Sequence, residues 1–521
     1  MHYHKKRGRR MRSRLAIRNS TVNLINQIIC IIMAMIVRKY VIRYLGVEIL
    51  GVNAAIVEVV SMLALSELGI QYSISYRLYK PIAEGDHQKI GELFTLFKKA
   101  YRLVGTFILV GGIVCLPFVH VIVKTTIDMK IVYLVYVIQF VITAGSYFVT
   151  YYRTLLAAYQ SQYFCTSVDI VFNIVFYALK LFVIVYTKNY IIYLLLQVGQ
   201  MLGSNIIISV YSKRKLPFIT QQFEPDQKDQ KELISDLKEI VLGNISGYVY
   251  RSTDSMVISA FCGSLLVGLL ANYKTITQSI RQLINIVDSS LNPTWGNFLS
   301  QEKNEGRIKE IYDMFNLLQF IICVVMLIPI LCLADEFVTL WIGKDFLISP
   351  LFLWLIVADI YMNTVHEPNA MIMRGYGMFK EDKWISALAA AVNLVSSIIL
   401  VQWIGITGVL SGTILALMIY WIGRSYVVNK KCFKSEKRFY IKYWIKNFLY
   451  AVVFIFLYFV ADYVMNFVLL GNPVLQFILR GIVVEIVLGA LVLVIFGKSK
   501  SMETAYNTIL KSYIHKIRKR G

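Results

Sequence analysis

The chain has 521 residues, of which 57% are hydrophobic and 16% are charged. A typical soluble protein carries roughly 25% charged residues, and one soluble core cannot bury this much apolar surface. The composition therefore excludes an ordinary soluble globular protein. The formal net charge of +23 leaves either nucleic acid or a membrane surface as a partner, and the distribution of the charge decides between them.

Apolar runs follow one another from Thr21 to Phe496. Each has about 20 residues, which at a rise of about 1.5 Å per residue match the ~30 Å hydrocarbon core of a bilayer. The runs predict fourteen membrane spans, at residues 20–41, 49–74, 102–123, 131–152, 166–186, 190–211, 241–262, 266–291, 316–340, 349–372, 384–402, 406–428, 445–465 and 474–496. No small-residue cleavage site follows the first run, which therefore reads as an uncleaved span.

Most of the positive charge lies on one side of the predicted spans. The loops that share a side with both termini hold the majority of the 54 Lys and Arg residues. The opposite loops, together with the end of the first span that adjoins them, hold only Arg38, Lys39, Arg43, Lys124, Lys130, Lys188 and Lys344. By the positive-inside rule, both termini of this multi-pass membrane protein are cytoplasmic. Topology and anionic lipid headgroups explain the excess charge, so no nucleic-acid partner is expected.

The first twelve spans divide into two halves that resemble each other. At an offset of 218 residues, Lys89 corresponds to Arg307, and Glu92 corresponds to Glu310. An even number of spans separates the copies, so both halves have the same orientation and a pseudo-two-fold axis along the membrane normal. The sequence predicts an all-α fold of about 14 transmembrane helices, with two six-helix lobes and alternating access at a central cleft. The predicted parts are an N-lobe at 1–211, a cytoplasmic linker at 212–240, a C-lobe at 241–430, and two extra helices with a basic tail at 431–521.

Cations within the spans are candidates for binding an anionic, phosphate-bearing ligand. Arg251 lies in span seven, and Lys274 and Arg281 lie in span eight. Arg presents a planar fork that binds phosphate in a bidentate manner. Lys180 in span five, eleven residues after Asp169, is a further candidate in the first lobe. The alternative is that these cations form internal ion pairs with nearby aspartates.

Acidic residues within the spans are candidates for coupling to an ion gradient, because a charge in the hydrocarbon is costly unless it has a partner or a function. They are Glu58 and Glu67 in span two, Asp254 in span seven and Asp288 in span eight. Each has a structural alternative: Glu58 could bond between lobe helices, and Asp254 could pair with Arg251 at i, i+3. In span ten, His366 is read first as a helix-end residue and only second as part of a proton relay.

A polar stripe runs along span one. Asn19, Asn23, Asn26 and Gln27 have the spacing i, i+4, i+7, i+8, which places them on one face of a helix. Such a stripe either lines a wet cavity or bonds to a neighbouring helix.

Several kinds of chemistry are not indicated. The seven cysteines form no CxxC motif and no Cys/His cluster, so no metal site is expected. No phosphate-binding loop for ATP is present, and no catalytic constellation marks a large extramembrane domain. The sequence therefore predicts a protein that is not an enzyme and needs no cofactor.

Motifs spread along the chain carry a resemblance to a known family. They are Tyr44-Leu-Gly-Val-Glu-Ile-Leu-Gly-Val-Asn53, Leu63-Ala-Leu-Ser-Glu-Leu-Gly69, Leu78-Tyr-Lys-Pro-Ile-Ala-Glu-Gly-Asp86, Thr253-Asp-Ser-Met-Val-Ile-Ser259, Val267-Gly-Leu-Leu-Ala-Asn-Tyr273, Leu340-Trp-Ile-Gly343 and Arg374-Gly-Tyr-Gly377. In this order they resemble Wzx-type polysaccharide flippases of the multidrug/oligosaccharidyl-lipid/polysaccharide exporter superfamily. The family's motif aspartate falls on Asp254, and its span-two glutamate falls on Glu67.

The resemblance implies translocation of undecaprenyl-pyrophosphate-linked oligosaccharide repeat units from the cytoplasmic to the outer leaflet, driven by an ion gradient. The implied partners are the lipid-linked oligosaccharide, membrane lipids, and a polymerase with other polysaccharide-assembly proteins. Two other functions stay open: a drug or cation antiporter of the same superfamily, and a non-transporting scaffold of a wall-assembly complex. An antiporter would favour an acidic cleft without Arg.

Overall fold

A computed structural model describes residues 2–63, 77–221, 223–226, 230–231, 253–302, 304–434 and 436–507. Within these ranges, the description excludes the side chains at 2–21, 24, 63, 287, 289–297, 300–301 and 379. All the regular structure of the described ranges is helical, which confirms the predicted fold class.

The helices that begin before residue 264 are α1 (His2–Leu45), α2 (Glu48–Leu63), α3 (His87–Cys115), α4 (Met129–Tyr147), α5 (Tyr151–Ala158), α6 (Gln162–Thr187), α7 (Tyr190–Lys215) and α8 (Asp254–Cys262). The later helices are α9 (Ser264–Gln301), α10 (Glu305–Trp341), α11 (Pro350–Val365), α12 (Glu367–Gly375), α13 (Phe379–Ile404), α14 (Ile406–Cys432), α15 (Lys437–Met465), α16 (Pro473–Phe496) and α17 (Lys500–Ala505). A 3-10 turn at Leu116–Phe118 and a short helix at Val119–Ile122 extend α3.

Nine helical segments among the described residues are long and apolar enough to cross a membrane. They lie at His87–Ile122, Met129–Tyr147, Gln162–Thr187, Tyr190–Lys215, Glu305–Trp341, Lys380–Ile404, Ile406–Cys432, Lys437–Met465 and Pro473–Phe496. Each coincides with one of the fourteen predicted spans, so the chain is a multi-pass membrane protein. The other five predicted spans fall on α1, α2, α8, α9 and α11, and parts of two of them (64–74 and 241–252) lie outside the described residues.

The chain divides into two compact units after Gly268, inside helix α9. In the first unit α1 packs along α6, α6 packs on α7, and α2 contacts both α4 and α8. In the second unit α13 and α14 lie side by side, and α10 contacts α11, α15 and α16. The predicted lobe and linker boundaries stay a prediction.

The corresponding positions of the predicted repeat have the same local structure. At the start of α3, the Asp86 carboxylate accepts a hydrogen bond from the Lys89 N–H, and Lys89 pairs with Glu92 at 3.2 Å. At the start of α10, the Asn304 side chain accepts from the Arg307 N–H, and Arg307 pairs with Glu310 at 3.1 Å. A polar side chain that caps the first turn fixes where each helix begins.

Two predicted spans are interrupted in the structure. Predicted span ten is broken at His366, between α11 and α12, because Pro368 lacks the N–H that would continue α11 and fits the first turn of a new helix. Predicted span four ends earlier than expected, at Tyr147, and the chain turns before α5 begins at Tyr151.

Two glycines allow helices α2 and α9 to cross in close contact within the first unit. A Cβ added at Gly51 would overlap the carbonyl oxygen of Ser264, and a Cβ at Gly268 would overlap that of Val47. Neighbouring Gly46 has φ +82 and ends α1, which is a conformation that favours glycine. These glycines belong to the motifs that carry the family resemblance, so the motifs encode a backbone contact.

Replacing either crossing glycine by alanine should destabilise the protein by about 1–3 kcal/mol, because the backbones must separate. The detergent-purified variants Gly51→Ala and Gly268→Ala should therefore melt at lower temperature than the wild type. Gly489→Ala in α16 is the matched control, because no atom lies within 4 Å of its added Cβ. Equal melting temperatures for Gly51→Ala and Gly489→Ala would show that the crossing is not tight.

The loop at residues 123–128 is bonded to the first residues of both α2 and α9. The Glu48 carboxylate accepts hydrogen bonds from Thr125 Oγ1 at 2.6 Å, Thr126 N at 2.7 Å and Thr126 Oγ1 at 2.6 Å. The Lys124 carbonyl accepts from Ser264 N at 2.8 Å. Burial acts to raise the pKa of Glu48, but the three hydrogen bonds outweigh it and hold this pKa below its ordinary value.

The contribution of Glu48 to stability should therefore depend on pH. A lowered carboxyl pKa stabilises the fold above the unfolded value of about 4.3, and this stabilisation is lost as the pH falls through the folded value. Glu48→Gln should lower the melting temperature at pH 7, and the difference from wild type should shrink in acid. Glu84→Gln, at an exposed glutamate, is the control. A pH-independent difference would rule out this account.

Candidate functional site

The predicted cavity cation Arg281 forms an ion pair in the second unit. From α9, its Nη2 donates to Asp359 Oδ2 of α11 at 2.7 Å. Asn363 Nδ2 donates to the other carboxylate oxygen of Asp359 at 2.8 Å. The side chains of Arg281 and Asp359 are 36% and 25% exposed, and Nη2 is the only guanidinium nitrogen of Arg281 bonded to a described residue. The internal pair weighed from the sequence is thus formed, and the Arg281 side chain is still partly exposed.

The predicted cation Lys180 of α6 is buried in the first unit, with only 4% exposure. Its Nζ donates to Gln200 Oε1 of α7 at 2.7 Å and lies 5.1 Å and 5.6 Å from the ring centres of Tyr177 and Tyr193. The described contacts of this ammonium are therefore with one amide oxygen and the faces of two aromatic rings.

The polar stripe of α1 bonds to the neighbouring helix α6. Asn23 Oδ1 accepts from Thr166 Oγ1 at 2.7 Å, and Asn26 Oδ1 accepts from Asn173 Nδ2 at 3.0 Å. Gln27 is half-buried, and the side chain of Asn19 lies outside the described part. For Asn23 and Asn26 the helix-to-helix alternative is the one that the structure supports.

A second polar cluster joins α5, α6 and α7, and the sequence did not single out its central residue. Arg153 donates to both oxygens of Asp169, at 2.7 Å and 2.8 Å. Its Nε donates to Asn205 Oδ1 at 2.7 Å and its Nη2 to Ser204 Oγ at 3.1 Å. Arg153 directly follows the predicted end of span four, so it was assigned to a loop. The sequence signal that could have identified it as a buried cation is its position between tyrosines and leucines.

The predicted acidic residues occupy different places. Glu58 Oε2 accepts from the backbone N–H groups of Ser255 at 2.8 Å and Met256 at 3.2 Å, so it caps helix α8 within the first unit. Asp288 of α9 is buried in the second unit and accepts from Gln319 Nε2 at 2.5 Å. Asp254 is the first residue of α8, and Lys274 is half-buried in α9. Glu67 and Arg251 lie outside the described residues.

His366 bonds at the break between α11 and α12. Its ring is buried; Nε2 accepts from Arg424 Nη1 at 2.8 Å, and Nδ1 donates to the Met362 carbonyl at 2.7 Å. Arg cannot accept a hydrogen bond, so these contacts assign the neutral tautomer with the proton on Nδ1. Arg424 also pairs with both oxygens of Asp382, at 2.7 Å and 3.1 Å. The geometry matches the helix-end interpretation.

A family model described as "polysaccharide biosynthesis protein" matches residues 16–298, which is more than half of the chain. The chain belongs to the polysaccharide biosynthesis protein family. This confirms the resemblance that the motifs carry, and the matched segment includes both crossing glycines. No curated protein matches the sequence.

Solved structures show the fold of this polysaccharide biosynthesis family member. The lipid II flippase MurJ, in an inward closed conformation, matches with a TM-score of 0.65 at 14% identity, over 92% of this chain and 99% of that one. An inward-facing multidrug resistance MATE transporter matches with a TM-score of 0.59 at 15% identity, over 81% and 99%. A mutant of the Vibrio cholerae MATE transporter VcmN matches with a TM-score of 0.52 at 13% identity, over 81% and 98%. The fold is therefore that of the MurJ and MATE structures.

Exchanging the charges of Arg281 and Asp359 should separate their two possible roles. Arg281→Gln alone leaves a carboxylate without its cation, so membrane abundance should fall. The double exchange, Arg281→Asp with Asp359→Arg, should restore abundance measured by immunoblot. If Arg281 also contacts cargo, surface polysaccharide in the double variant should stay at least about tenfold below wild type.

Full recovery of polysaccharide in the double variant would mean that Arg281 serves only the pair. Lys80→Gln with Glu84→Gln removes an exposed ion pair and is the matched control, for which no loss is expected.

Proposed function

We propose that this protein is a flippase that moves undecaprenyl-pyrophosphate-linked oligosaccharide repeat units from the cytoplasmic to the outer leaflet of the bacterial cell membrane. The translocated repeat units would then be used for surface polysaccharide synthesis. The observation that carries the proposal is the family match over residues 16–298, together with the fold of a lipid II flippase over 92% of the chain.

The proposed mechanism is alternating access between two lobes, with both termini in the cytoplasm. Arg281 would meet the pyrophosphate, helped by Lys274 and by Arg251, because a guanidinium can keep its pair with Asp359 and still offer donors to a phosphate oxygen. Glu58, Glu67, Asp254 and Asp288 are the proposed sites of ion coupling. A polymerase and other assembly proteins would take up the cargo on the outer side.

A drug or cation antiporter is the second candidate function, favoured by the fold shared with the inward-facing MATE transporter. The family match favours the flippase. In addition, the Asp359 carboxylate in the second unit is already neutralised by Arg281, whereas a cationic drug would need an unpaired carboxylate. A drug-susceptibility panel on a deletion strain separates the two functions, since only the antiporter predicts hypersensitivity.

Depleting the protein should trap lipid-linked repeat units in the cytoplasmic leaflet. The measurement is the fraction of extracted lipid-linked oligosaccharide that an impermeant sugar-modifying enzyme reaches from outside spheroplasts. This fraction should fall at least about tenfold on depletion, because a charged pyrophosphate and polar sugars do not cross hydrocarbon unaided. Re-expression of the wild type should restore it, and an unchanged fraction would exclude the flippase.

A further inference from the structure

Lys180 differs in its described partners from four other cations of the described helices. Arg153, Arg281, Arg424 and Arg480 each pair with a carboxylate. Lys180 is buried more deeply than these and, among the residues that the structure describes, has no carboxylate within 4.0 Å of Nζ. Among the described residues, a neutral amide and two tyrosine rings are the groups that stabilise its charge, which is a costly arrangement in a low-dielectric interior.

A relay of hydrogen bonds connects this ammonium to helix α1, and every donor in it points away from Lys180. Lys180 Nζ donates to Gln200 Oε1 at 2.7 Å, and Gln200 Nε2 donates to Asn173 Oδ1 at 2.6 Å. Asn173 Nδ2 then donates to Asn26 Oδ1 and to Cys30 Sγ, both at 3.0 Å. Because each amide donates away from the lysine, the ammonium sets the orientation of both amides. Loss of one proton at Lys180 would remove that constraint.

Several titratable or charged groups face the Lys180 ammonium. Tyr177 of α6 and Tyr193 of α7 lie against it, and Arg38 of α1 interacts with Tyr193 and Tyr190. Cys30 of α1 ends the relay. The carboxylate of α6 nearest in sequence, Asp169, is held by Arg153 in a bidentate pair. None of these groups supplies Lys180 with an unpaired negative charge.

The enclosure of Lys180 favours a proton over an anionic cargo as its ligand. A pyrophosphate needs space and open access, whereas Nζ is covered by Gln200 and two aromatic rings and is nearly inaccessible. A proton needs no space, and a buried amine and ammonium differ greatly in solvation, so the two forms favour different packing of the surrounding helices.

We propose that Lys180 is the proton-carrying group of the first unit. It takes up a proton from one aqueous side as the amine becomes ammonium, and it releases that proton to the other side as the amine re-forms. The Gln200–Asn173 relay transmits the change to α1. The inference rests on the proposed flippase function and names its coupling ion and the residue that binds it.

The direct test is hydrogen exchange of the purified full-length protein in detergent between pH 6 and pH 10. After correction for intrinsic exchange rates, peptides from α1 and α6 should change protection in one transition, and peptides from α15 should not. Lys180→Arg, which stays charged, and Lys180→Met, which stays neutral, should each abolish the transition. Lys99→Met, at an exposed lysine of α3, is the control and should keep it.

A second test adds a negative charge beside Lys180, and it does not depend on whether Lys180→Met folds. Gln200→Glu places a carboxylate where the amide oxygen now accepts from Nζ. It should move the midpoint of the transition to higher pH by about one unit or more, because an adjacent negative charge favours the ammonium. An unmoved midpoint, no transition in the wild type, or a transition that persists in Lys180→Arg would overturn the proposal.

Transport is measured separately in the depletion strain. At equal membrane abundance, Lys180→Met and Lys180→Arg should restore at least about tenfold less surface polysaccharide than wild type or Lys99→Met. Wild-type restoration by Lys180→Met would overturn the coupling role. If depletion itself leaves lipid-linked repeat units correctly distributed, the flippase function fails, and the exchange experiment still decides whether Lys180 binds the proton.

Discussion

A charge inside a membrane helix must find a partner, and this constraint determines many of the polar helix contacts in the protein. Lipid tails are as apolar as leucine, so apolar faces alone do not select which helices meet. Ion pairs make that selection at Arg153–Asp169 between α5 and α6, Arg281–Asp359 between α9 and α11, and Arg480–Glu336 between α16 and α10. Each pair satisfies two costly charges and fixes two helices against each other.

Close backbone contact is the second determinant, and it gives the family motifs a physical meaning. Gly51 and Gly268 lie in motifs that are more than 200 residues apart in the chain, yet α2 and α9 cross at these positions in the first unit. Glu58 caps α8 on the same side of the unit division, through the N–H groups of Ser255 and Met256. The motifs thus supply the small residues at the crossing and the backbone N–H groups that Glu58 caps.

The helical fold class and the positions of many spans could be predicted from the sequence, because the apolar runs and the bilayer thickness are one-dimensional properties. The break at His366 could have been located from Pro368, since proline restricts a helix locally. The start of α3 at His87, fifteen residues before the predicted span, follows from the cap at Asp86; hydropathy does not detect it, because the first turns of this helix are polar.

The partners of the site residues could not be predicted, because they come from other helices. The sequence placed Lys180 and Asp169 on one face of α6, but Asp169 pairs with Arg153 of α5 and Lys180 bonds to Gln200 of α7. Similarly, Arg281 pairs with Asp359 of α11, which lies in another predicted span and which the spacing within span eight cannot identify. Helical periodicity determines which face a residue occupies, whereas tertiary packing determines which neighbour it meets.

Reconstitution of the purified protein in vesicles tests whether it moves lipid-linked oligosaccharide across a bilayer. Vesicles would carry lipid-linked oligosaccharide extracted from the depletion strain, and a membrane-impermeant oxidant of sugars would be added outside. In protein-free vesicles only the sugars of the outer leaflet, about half of the total, should react. If the protein is a flippase, its vesicles should expose nearly all of the sugars to the oxidant. A reacting fraction that stays at the protein-free level would contradict the account.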